Sequence, residues 1–415
     1  MNQTSLLRRL FDEAVRVADP MICVPAHLPP KPDGKLLVIG AGKASARMGE
    51  ALEATWGPCE GLIITRYGYE RALQGITLKS ASHPVPDEAG LLATRELRAL
   101  LEAADKDTTI VALISGGGSS LMIDPAGDMS LAEKQAVNEA LLASGAPINA
   151  MNVVRKHISR IKGGQLAAAA YPAKLLTLMI SDVPGDDPAF IASGPTVGDS
   201  STTADALTII DQYKIALPAS AKAALKGESG VVPPSDQRLS TTTNTIIAAP
   251  SQSLEAAKAI AENEGITVTI LGDDIEGEAR DLAQEQAALA LKMQRDITKP
   301  HLLLSGGECT VTRTGSGVGG PNAEYALSLA IALQGNAGIY AIACDTDGVD
   351  GAAEVAGAVV APGTLATAQA KDIDPKPSLA NNDAHSFFAS IDSQVITGPT
   401  LTNVNDFRAI LIEPA

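Results

Sequence analysis

The sequence predicts an α/β protein with largely parallel β-sheets. Apolar runs typical of buried strands alternate with helical patterns along nearly all of the 415 residues. The strand segments are apolar at every position, which is typical of sheets covered by helices on both faces. Hydrophobic residues make up 45% of the chain but aromatic residues only 3%. The cores must therefore consist of Ala, Val, Leu and Ile, as in helix-covered sheets.

In the first half of the chain, strands are predicted at KLLVIG, EGLIIT, TTIVALIS and KLLTLMIS. The segments EAGLLATRELRALLEAA and SLAEKQAVNEALLAS have helical patterns. The amino-terminal stretch MNQTSLLRRLFDEAVRVADP is predicted to be an amphipathic helix and not an export signal, because acidic residues follow its arginines. Ligands of parallel sheets bind at the carboxyl ends of the strands, so candidate residues are sought there.

A second series of strands and helices follows the polar segment LKGESGVVPPSDQRLSTTTN, whose Gly, Ser, Pro and Thr residues predict a linker. After it, strands are predicted at TIIAA, ITVTIL, HLLLSGG and GIYAIACDTDG, and helices at SQSLEAAKAIAENEG and GEARDLAQEQAALALKMQRD. The sequence therefore predicts two α/β domains, 1–240 and 241–415.

Charge and cysteine content limit the classes of partner. The formal net charge of −16 argues against a nucleic-acid surface, which needs clustered Lys and Arg. The four cysteines form no C-x-x-C pair, so neither a zinc site nor a disulfide scaffold is indicated, and a reducing cytoplasm fits. No apolar run approaches the roughly 20 residues of a membrane-spanning helix. We expect a cytoplasmic protein without nucleic-acid or membrane partners, and a homodimer is one option for its oligomeric state.

The stretch LLVIGAGKAS predicts a strand, a glycine turn and a helix, as at the start of a dinucleotide-binding fingerprint. The fingerprint is incomplete, because its third glycine falls at Ser45. The acidic residue expected about 20 positions later is also missing, since Arg66 and Tyr67 follow the next strand. What remains is Lys43 among free backbone N–H groups at a helix N-terminus, which suits a phosphate or carboxylate. A glycine turn needed only for packing is nearly as well supported.

Three successive glycines follow the strand in TTIVALISGGGSSLM. They allow positive φ and leave backbone N–H groups unblocked, and two serines add hydroxyl donors, so an oxyanion cradle is predicted. The segment lacks the Gly-Lys-Ser/Thr of a P-loop, and a turn needed only for packing is the alternative. The strand end LLSGGECT is similar. The candidates at these two strand ends are Gly116, Gly117, Gly118, Ser119, Ser120, Gly306 and Gly307.

Basic residues are concentrated in NVVRKHISRIKGGQLA, which is unusual in an acidic protein. If the helical pattern continues, Arg155, Ser159 and Lys162 share one face by i, i+4, i+7 spacing. They are then placed to bind a carboxylate or phosphate together. For Lys156 and Arg160, a solvated helix face is the preferred interpretation.

Carboxylates follow the strand in LMISDVPGDDPAFIASGPTVGD. Asp182 and Asp186 lie where they can hold Mg²⁺ or accept a proton from a substrate hydroxyl. In the second half, IACDTDGVDG places Asp345 and Asp347 at another strand end. This segment resembles a calcium loop only superficially, because no distal glutamate completes the spacing. Metal binding through substrate phosphates is the better interpretation there.

A glycine loop at 315–320 leads into a helix that is predicted to begin near Pro321. Asn322 and Glu324 fall in its first turn, where they can cap the helix or face a ligand. Both are candidate ligand-binding residues.

The ordered motifs resemble the glycerate 2-kinase family, whose carboxy-terminal part is called the MOFRL domain. The motifs are GAGKAS, SGGGSSL, VRKHISRIKGGQLA, ISDVPGDDPAFIASGPT, SGGECTV, GVGGPNAE, DTDGVDG, LANNDAHSFF and TGPTLTNVNDF. The resemblance covers essentially the whole chain. It implies ATP-dependent phosphorylation of D-glycerate to 2-phosphoglycerate with a divalent cation such as Mg²⁺. It also implies two Rossmann-like α/β domains with the active site in the cleft between them.

The resemblance further implies that Lys43 is the prime catalytic or substrate-orienting residue. Combined with the motifs, it assigns candidate roles to the polar residues, and the glycine-rich strand ends are then the nucleotide-binding candidates. Catalytic candidates are Lys43, Asp182 and Asp186, substrate-binding candidates are Ser45, Arg155, Lys162, Asn322 and Glu324, and candidate metal ligands are Asp345 and Asp347.

The chain departs from the family pattern at one position. Members commonly have Gly-Gly-Arg-Asn-x-Glu with an active-site arginine, whereas this chain has GGPNAE with Pro321, and proline supplies neither charge nor donor. Either Arg155 or Arg313 replaces the charge, or the chain belongs to a subgroup with altered chemistry or substrate. The alternative functions are NAD(P)H-dependent reduction of hydroxypyruvate, a name that some members carry, and a non-enzymatic role as a sugar-acid sensor.

Overall fold

Helices and strands alternate along the computed structural model, which describes residues 2–415. The helices are α1 (Gln3–Val17), α2 (Pro20–His27), α3 (Ser45–Trp56), α4 (Glu88–Glu102), α5 (Gly118–Leu121), α6 (Leu131–Ala143), α7 (Ile148–His157), α8 (Gln165–Ala170), α9 (Thr203–Gln212), α10 (Ala219–Lys226), α11 (Pro250–Asn263), α12 (Ala279–Gln294), α13 (Pro321–Leu333), α14 (Thr364–Ala370), α15 (Pro375–Ala380) and α16 (Ala384–Ser390). The strands are β1 (Lys35–Ala41), β2 (Gly61–Arg66), β3 (Ile76–Ala81), β4 (Thr108–Ile114), β5 (Lys174–Ile180), β6 (Thr242–Ala248), β7 (Thr267–Gly272), β8 (Gly277–Glu278), β9 (His301–Ser305), β10 (Cys309–Thr310), β11 (Ile339–Asp345), β12 (Gly357–Val360), β13 (Gln394–Val395) and β14 (Asp406–Ile412).

The chain folds into two compact units, each made of non-contiguous segments. The amino-terminal unit comprises residues 20–181 and 186–247. The carboxy-terminal unit comprises residues 2–19, 182–185 and 248–415.

The sheet of the amino-terminal unit has the strand order β3-β2-β1-β4-β5-β6. The pairs β1–β2, β2–β3, β1–β4 and β4–β5 are parallel, which confirms the predicted parallel sheet. This is the strand order of a doubly wound fold, in which ligands bind where the order reverses, outside the carboxyl ends of two adjacent strands. In this unit those strands are β1 and β4.

The composition of β4 explains its central place in the sheet. Its sequence TTIVALI consists mostly of aliphatic and β-branched residues, and its last five residues are buried. β1 lies between β2 and β4, and its last four residues are buried as well. Because both faces are covered, apolar side chains are favoured at every position of these strands.

Four helices of the amino-terminal unit form an apolar cluster of their own. Val137 and Leu141 of α6 pack with Val154 of α7, and α9 and α10 contribute Ile210 and Leu225. This cluster fixes α6 and α7, which carry basic side chains of the candidate site.

The sheet of the carboxy-terminal unit has the order β13-β12-β11-β14-β9-β7. Of its five pairings, β7–β9 is parallel and the other four are antiparallel. The unit is α/β as predicted, but its sheet differs from the expected parallel arrangement. Strand β14 is buried along its whole length between β11 and β9. An uninterrupted apolar run predicts burial on both faces and does not reveal the direction of the strand.

Helix α1 packs into the carboxy-terminal unit although it lies near the start of the sequence. Its residues Leu7, Leu10 and Phe11 are fully buried, and the ring of Phe11 lies 5.9 Å from the ring of Phe407 in β14. The predicted amphipathic helix is therefore confirmed. Its packing makes the compact units differ from the predicted division into 1–240 and 241–415.

The segment predicted as a linker, residues 225–244, is part of the amino-terminal unit. Val232 is fully buried, its N–H donates to the carbonyl of Gly163 at 3.0 Å, and its carbonyl accepts from the N–H of Asp199 at 2.8 Å. The linker interpretation is therefore wrong, and the turn-forming composition reflects a loop that follows the surface of one unit. Every helix within residues 2–415 is too short or too polar to traverse a lipid bilayer.

Candidate active site

The loops after β1 and β4 meet at the switch point of the doubly wound sheet. The last residues of the two strands, Ala41 and Ile114, are register partners. Beyond them the N–H of Lys43 donates to the carbonyl of Gly116 at 2.8 Å. A Cβ added to Gly117 would lie 3.3 Å from Cγ of Lys43, so the lysine side chain lies against the glycine loop. The structure thus brings together two features that the sequence presents separately.

The expectation of free backbone N–H groups around Lys43 is wrong. Four consecutive amides of the turn already have protein acceptors, and Gly42 fits so closely that an added Cβ would lie 2.1 Å from Oγ of Ser115. The turn therefore supplies a lysine side chain but no amide cradle. The amides donate as follows: Gly42 to the carbonyl of Ile64, Lys43 to that of Gly116, Ala44 to Oγ of Ser115, and Ser45 to the carbonyl of Gly42.

The Ser45 side chain is part of the same packing. It is fully buried, and its hydroxyl donates to the carbonyl of Leu113 at 2.9 Å. This bond ties the first turn of α3 to β4. The predicted contact of Ser45 with substrate stays a prediction, and its observed partner is the strand.

The glycine loop after β4 has the amides that the Lys43 turn lacks. No acceptor within residues 2–415 binds the N–H groups of Gly116, Gly117 and Ser119. Gly117 has left-handed φ and ψ angles of 79° and −12° and immediately precedes α5. Unengaged amides around a left-handed residue form a concave site for anions. The geometry suits the predicted oxyanion, whose binding stays a prediction.

Lys162 places an ammonium group at the glycine loop. Its Nζ donates to the carbonyl of Ser119 at 2.7 Å and to the hydroxyl of Ser119 at 2.8 Å, and the residue is only 2% exposed. Burial lowers the pKa of Lys162 well below its ordinary value, and the nearby Lys134 and Arg155 lower it further. A buried cation with neutral partners is well suited to bind an anion.

A strained segment with the sequence IASGPT contacts the residue next to Lys162 and the glycine loop. This segment was not predicted from the sequence to be part of the site. Ala192 and Ser193 have positive φ angles of 51° and 64°, which non-glycine residues rarely adopt. The carbonyl of Ser193 accepts from the N–H of Gly163, next to Lys162. The hydroxyl of Ser193 lies 2.9 Å from the hydroxyl of Ser119. The run of small polar residues in SGPT was the available signal.

Arg155 lies in the last turn of α7, which ends at His157. The predicted single helix face of Arg155, Ser159 and Lys162 therefore does not exist, and Lys162 reaches the glycine loop from the connection to α8. Arg155 Nη1 lies 3.4 Å from Oδ1 of Asn152, and the hydroxyl of Ser193 lies 3.4 Å from the same atom. Polar contacts thus connect Arg155 to the glycine loop.

The expected solvated position of Lys156 is wrong. Lys156 is 2% exposed, its Nζ pairs with the carboxylate of Asp199 at 2.5 Å, and it lies 5.3 Å from the ring centre of Phe190. Arg160 is exposed, as predicted. Lys156 is therefore a paired structural cation, unlike Lys162.

Lys134 of α6 is a further buried cation that the motifs did not reveal. It is 3% exposed, and its Nζ lies 3.3 Å from Oδ1 of Asn138. Burial, together with the charge of Arg155, lowers its pKa to about 7. The signal in the sequence was helical spacing, because Lys134, Val137 and Leu141 share the buried face of α6.

In the carboxy-terminal unit, the two glycines after β9 are hydrogen-bonded to or packed tightly against other parts of the protein. The N–H of Gly306 donates to the carbonyl of Gly272 at 2.9 Å, and its carbonyl accepts from Nη2 of Arg408 at 2.5 Å. Gly307 has a φ of +110°, and an added Cβ would lie 2.2 Å from the carbonyl oxygen of Ile275. Packing accounts for both glycines, and their predicted contact with nucleotide stays a prediction.

Asn322 and Glu324, in the first turn of α13, are buried within the carboxy-terminal unit. Asn322 is 1% exposed, and its side-chain amide donates to Asp406 at 2.6 Å. Glu324 is 0% exposed and pairs with Nε of Arg280 at 2.6 Å. The cap of the helix is Asp350, whose carboxylate accepts from the N–H of Asn322 at 2.9 Å. The predicted substrate contacts of both residues stay predictions.

Pro321 and Arg313 clarify the departure from the family pattern. Pro321 is the first residue of α13, where its missing N–H removes no helical hydrogen bond. Arg313 is exposed, and its guanidinium donates to the carbonyls of Gly315 and Gly317. Arg155, which is half-buried, is thus the less exposed of the two arginines considered as a replacement for the missing charge.

The candidate carboxylates are divided between the two units. Asp182 belongs to the carboxy-terminal unit and accepts from the side-chain amide of Asn403 at 3.2 Å. Asp186 belongs to the amino-terminal unit and has a positive φ of 53°. Asp345 and Asp347 each accept a backbone N–H two residues further on, as in turns. Within residues 2–415, no three or more His, Cys, Asp or Glu side chains are grouped so as to hold a metal ion.

Comparisons with known proteins show which family the chain belongs to. Residues 6–226 match a domain of unknown function, DUF4147, and residues 301–406 match the MOFRL family. A D-glycerate 2-kinase from Thermotoga maritima is 36% identical over 97% of each chain. A crystal structure of glycerate kinase from that organism has a TM-score of 0.88 and 35% identity, over 98% of this chain and 99% of that one. An Agrobacterium vitis protein, provisionally named a hydroxypyruvate reductase, is 51% identical over 98% of this chain and 94% of its own.

The two matched regions define the class of this protein as an α/β protein with a DUF4147 region followed by a MOFRL region. The similarity to glycerate kinases over nearly the whole chain identifies the family more specifically than either matched region alone. The chain belongs to the glycerate 2-kinase family, also called the MOFRL family. The resemblance of the ordered motifs is thereby confirmed.

Proposed function

We propose that this protein is a glycerate 2-kinase that uses ATP to phosphorylate the 2-hydroxyl of D-glycerate, giving 2-phosphoglycerate. The observation that carries the proposal is the buried Lys162 at a glycine loop with three unengaged amides. Such a site neutralises and orients an oxyanion, which is the main task of a phosphoryl-transfer enzyme. The reaction class is supported by relatives named as glycerate kinases that match this chain over nearly its whole length.

In the proposed reaction, the 2-hydroxyl oxygen of glycerate attacks the γ-phosphorus of ATP. The new P–O bond forms as the bond to the β–γ bridging oxygen breaks, and ADP leaves with that electron pair. The hydroxyl proton passes to a carboxylate, for which Asp182 and Asp186 are the candidates. Lys43 and the amides of the glycine loop hold phosphoryl oxygens, while positioning and charge neutralisation supply most of the rate.

The acid is held by cations of the amino-terminal unit in this proposal. Arg155 and Lys162 lie along one chain of polar contacts. A guanidinium and an ammonium group are the donors that bind carboxylate and phosphate oxygens most strongly. A cytoplasmic location belongs to the same proposal, as does a homodimer as one option for assembly.

Mg²⁺ fits this chain as an ion held jointly with the nucleotide. Proteins usually bind it through one or two carboxylates together with substrate phosphates and water. That mode agrees with the lack of a group of three metal-binding side chains within residues 2–415. Asp345 and Asp347 are the candidate carboxylates. An ion held there with ATP would supply neutralisation of the phosphate charge.

Reduction of hydroxypyruvate is the second candidate, because a 51% identical relative carries that provisional name. Two observations weigh against it. The amides that would bind a dinucleotide after β1 are engaged within the protein, and β2 ends at Arg66 where a ribose-binding acid is expected.

The deciding experiment is product analysis with purified protein, ATP, Mg²⁺ and D-glycerate. Enolase added without phosphoglycerate mutase converts only the 2-phosphate into phosphoenolpyruvate, so formation of that product identifies the phosphorylated hydroxyl. We expect ATP-dependent phosphoenolpyruvate and no oxidation of NADH or NADPH by hydroxypyruvate. Oxidation of a reduced nicotinamide without ATP, with no phosphorylated acid, would establish the reductase instead.

A further inference from the structure

Lys134 is a buried lysine without a counter-charge. It is 3% exposed, and its hydrogen-bond partner is the neutral amide of Asn138 at 3.3 Å. An ammonium group has three donors, and burial of a charge is costly unless the charge is paired. A methionine or leucine at this position on the apolar face of α6 avoids that cost. Its presence therefore needs an explanation beyond folding.

Arg155, which is half-buried, and Lys162, which is buried, also lack a counter-charge. The partner of Arg155 is the amide oxygen of Asn152, and the partners of Lys162 are the carbonyl and hydroxyl of Ser119. None of the three cations forms an ion pair with a carboxylate within residues 2–415. Lys156 differs, since Asp199 neutralises it. The three basic side chains are close enough to affect one another's pKa values. In a chain with a net charge of −16, such a group without a carboxylate partner is unexpected unless it binds an anion.

We propose that Lys134, Arg155 and Lys162 form a three-cation pocket for a small organic acid that carries both a carboxylate and a phosphoryl group, and that Lys134 sets the affinity for the phosphorylated acid. A phosphate monoester carries about −1.5 to −2 charges at neutral pH, and a carboxylate adds one more. Three cations therefore match the phosphorylated acid better than the free acid. The identification of that acid as 2-phosphoglycerate rests on the proposed function.

The unengaged amides of the glycine loop independently indicate an anion at this place. Gly116, Gly117 and Ser119 present them on the same loop whose Ser119 binds Lys162. Neutral hydrogen-bond acceptors keep the cations in position without cancelling their charge. A ligand that brings its own negative charge then gains the full electrostatic interaction in a site from which water is largely excluded.

The charged groups around Lys134 favour loss of its proton in the unliganded protein. The positive charge of Arg155 on α7 adds to burial in lowering the pKa of Lys134, and Lys134 in turn lowers the pKa of Lys162 after α7. Helix α10, which packs on α6, carries Lys222 and Lys226, both exposed. On α6 itself, Glu133 accepts from the N–H of Ser130 in a capping box, and Glu139 is exposed. We therefore expect binding of the phosphorylated acid to be accompanied by proton uptake.

The test compares the wild-type protein with Lys134→Met, Lys134→Arg and the matched control Lys222→Met, which changes an exposed lysine of the same unit. Calorimetric titration with 2-phosphoglycerate and with D-glycerate, in buffers of different ionisation enthalpy at about pH 8, measures both affinity and proton uptake. We expect Lys134→Met to weaken 2-phosphoglycerate binding about 10- to 100-fold, as for loss of a hydrogen bond to a charged group. The effect on D-glycerate should be smaller, and Lys222→Met should bind both acids as the wild type does.

Proton uptake separates binding by Lys134 from a structural role. Wild-type protein should take up protons with 2-phosphoglycerate, and Lys134→Met should take up fewer. Lys134→Arg should retain more of the affinity than Lys134→Met and also take up fewer protons, because a guanidinium stays charged. Equal affinity and equal proton uptake in wild type and Lys134→Met would overturn the inference.

These titrations do not depend on turnover. The kinase proposal and the pocket proposal can therefore be refuted independently of each other. If wild-type protein binds 2-phosphoglycerate in a Lys134-dependent manner but forms none from ATP and D-glycerate, the kinase proposal fails and the pocket stands. If it forms 2-phosphoglycerate and Lys134→Met binds that acid normally, the pocket is refuted and the kinase proposal stands.

Discussion

The two glycine-rich strand ends have similar sequences and different structures. The loop after β4 reads SGGGSS and the loop after β9 reads SGGECT. In the first, three amides lack acceptors and Lys162 donates to neutral atoms of Ser119. In the second, Gly306 is hydrogen-bonded on both sides, and an added Cβ on Gly307 would collide with Ile275.

The cations beside the two loops explain the difference. Arg408 beside the second loop binds the carboxylate of Asp406 at 2.9 Å and the carbonyl of Gly306. Its charge is neutralised within the protein, and it holds the loop closed. Lys162 beside the first loop has no carboxylate partner. A paired buried cation stabilises the fold, whereas an unpaired one is available to a ligand.

Replacement of Arg408 by Met should have the largest effect of the variants considered, and it should act on stability. The substitution leaves the buried Asp406 without its partner, which costs about 3–5 kcal/mol of unfolding free energy. Burial already raises the pKa of Asp406, and the Arg408 charge opposes that rise. The loss should therefore be smaller at acidic pH, where a protonated carboxyl needs no counter-charge.

Thermal or urea unfolding at several pH values measures this loss. The matched control is Arg313→Met, because Arg313 is exposed in the same unit and bound only to carbonyls. A stable Arg408→Met protein would mean that the second loop is not held closed by this ion pair.

The corresponding substitution at Lys162 should lower turnover and not stability, in contrast to Arg408→Met. Lys162→Met removes a buried cation that has no counter-charge, so we expect unchanged or increased stability. Turnover should fall about 100- to 1,000-fold, as after loss of one donor to a developing oxyanion. Lys226→Met, at an exposed lysine of α10, is the control.

Enolase-coupled turnover together with melting temperature distinguishes these effects. A Lys162→Met protein that unfolds readily and has normal turnover per folded molecule would show that Lys162 stabilises the fold, as Arg408 does. The proposed difference between the two loops would then be wrong.

The pH dependence of stability should reveal that Lys134 is buried without a counter-charge. The pKa of Lys134 is lowered to about 7 by burial and by Arg155, whereas an unfolded chain has a lysine pKa of about 10.4. Between these values the unfolded chain holds more protons, so stability rises with pH. Wild-type protein should gain up to about 1.4 kcal/mol per pH unit relative to Lys134→Met over this range.

Urea unfolding of the two proteins without ligand, from about pH 7 to pH 9, measures the gain. Parallel profiles would show that Lys134 keeps its proton in the folded protein. Addition of 2-phosphoglycerate should reduce the slope, because bound anion retains the proton on the lysine.

Gly117→Ala should lower stability only modestly. The left-handed conformation at Gly117 costs a non-glycine residue about 1–2 kcal/mol, and the new Cβ would lie 3.0 Å from Cδ2 of His83. The control Gly127→Ala has a similar φ of +61° in an exposed loop, with its nearest neighbour at 3.8 Å. The two variants should lose similar stability, but only Gly117→Ala should lose activity. Equal turnover in both variants would show that Gly117 is needed only for the backbone conformation of the loop and not for activity.

Much of the fold followed from local patterns. The continuous apolar runs of β1 and β4 predicted a sheet covered on both faces, and the amphipathic pattern of residues 1–20 predicted α1. Strand β14 illustrates the limit, since its direction depends on its neighbours in space and not on its own residues. The assignment of α1 to the carboxy-terminal unit depends in the same way on Phe407 and other distant residues.

For the candidate site, the sequence alone determined the α/β class, the glycine-rich strand ends and the basic segment at residues 152–167, because these depend on residue type and short spacing. Only the tertiary structure decided that one glycine loop keeps unengaged amides while the other is closed. It also decided that the hydrogen-bond partners of Lys134, Arg155 and Lys162 are neutral groups and not carboxylates. Hydrogen bonding and charge pairing occur between atoms that are near in space, and these partners come from loops and helices far apart along the chain.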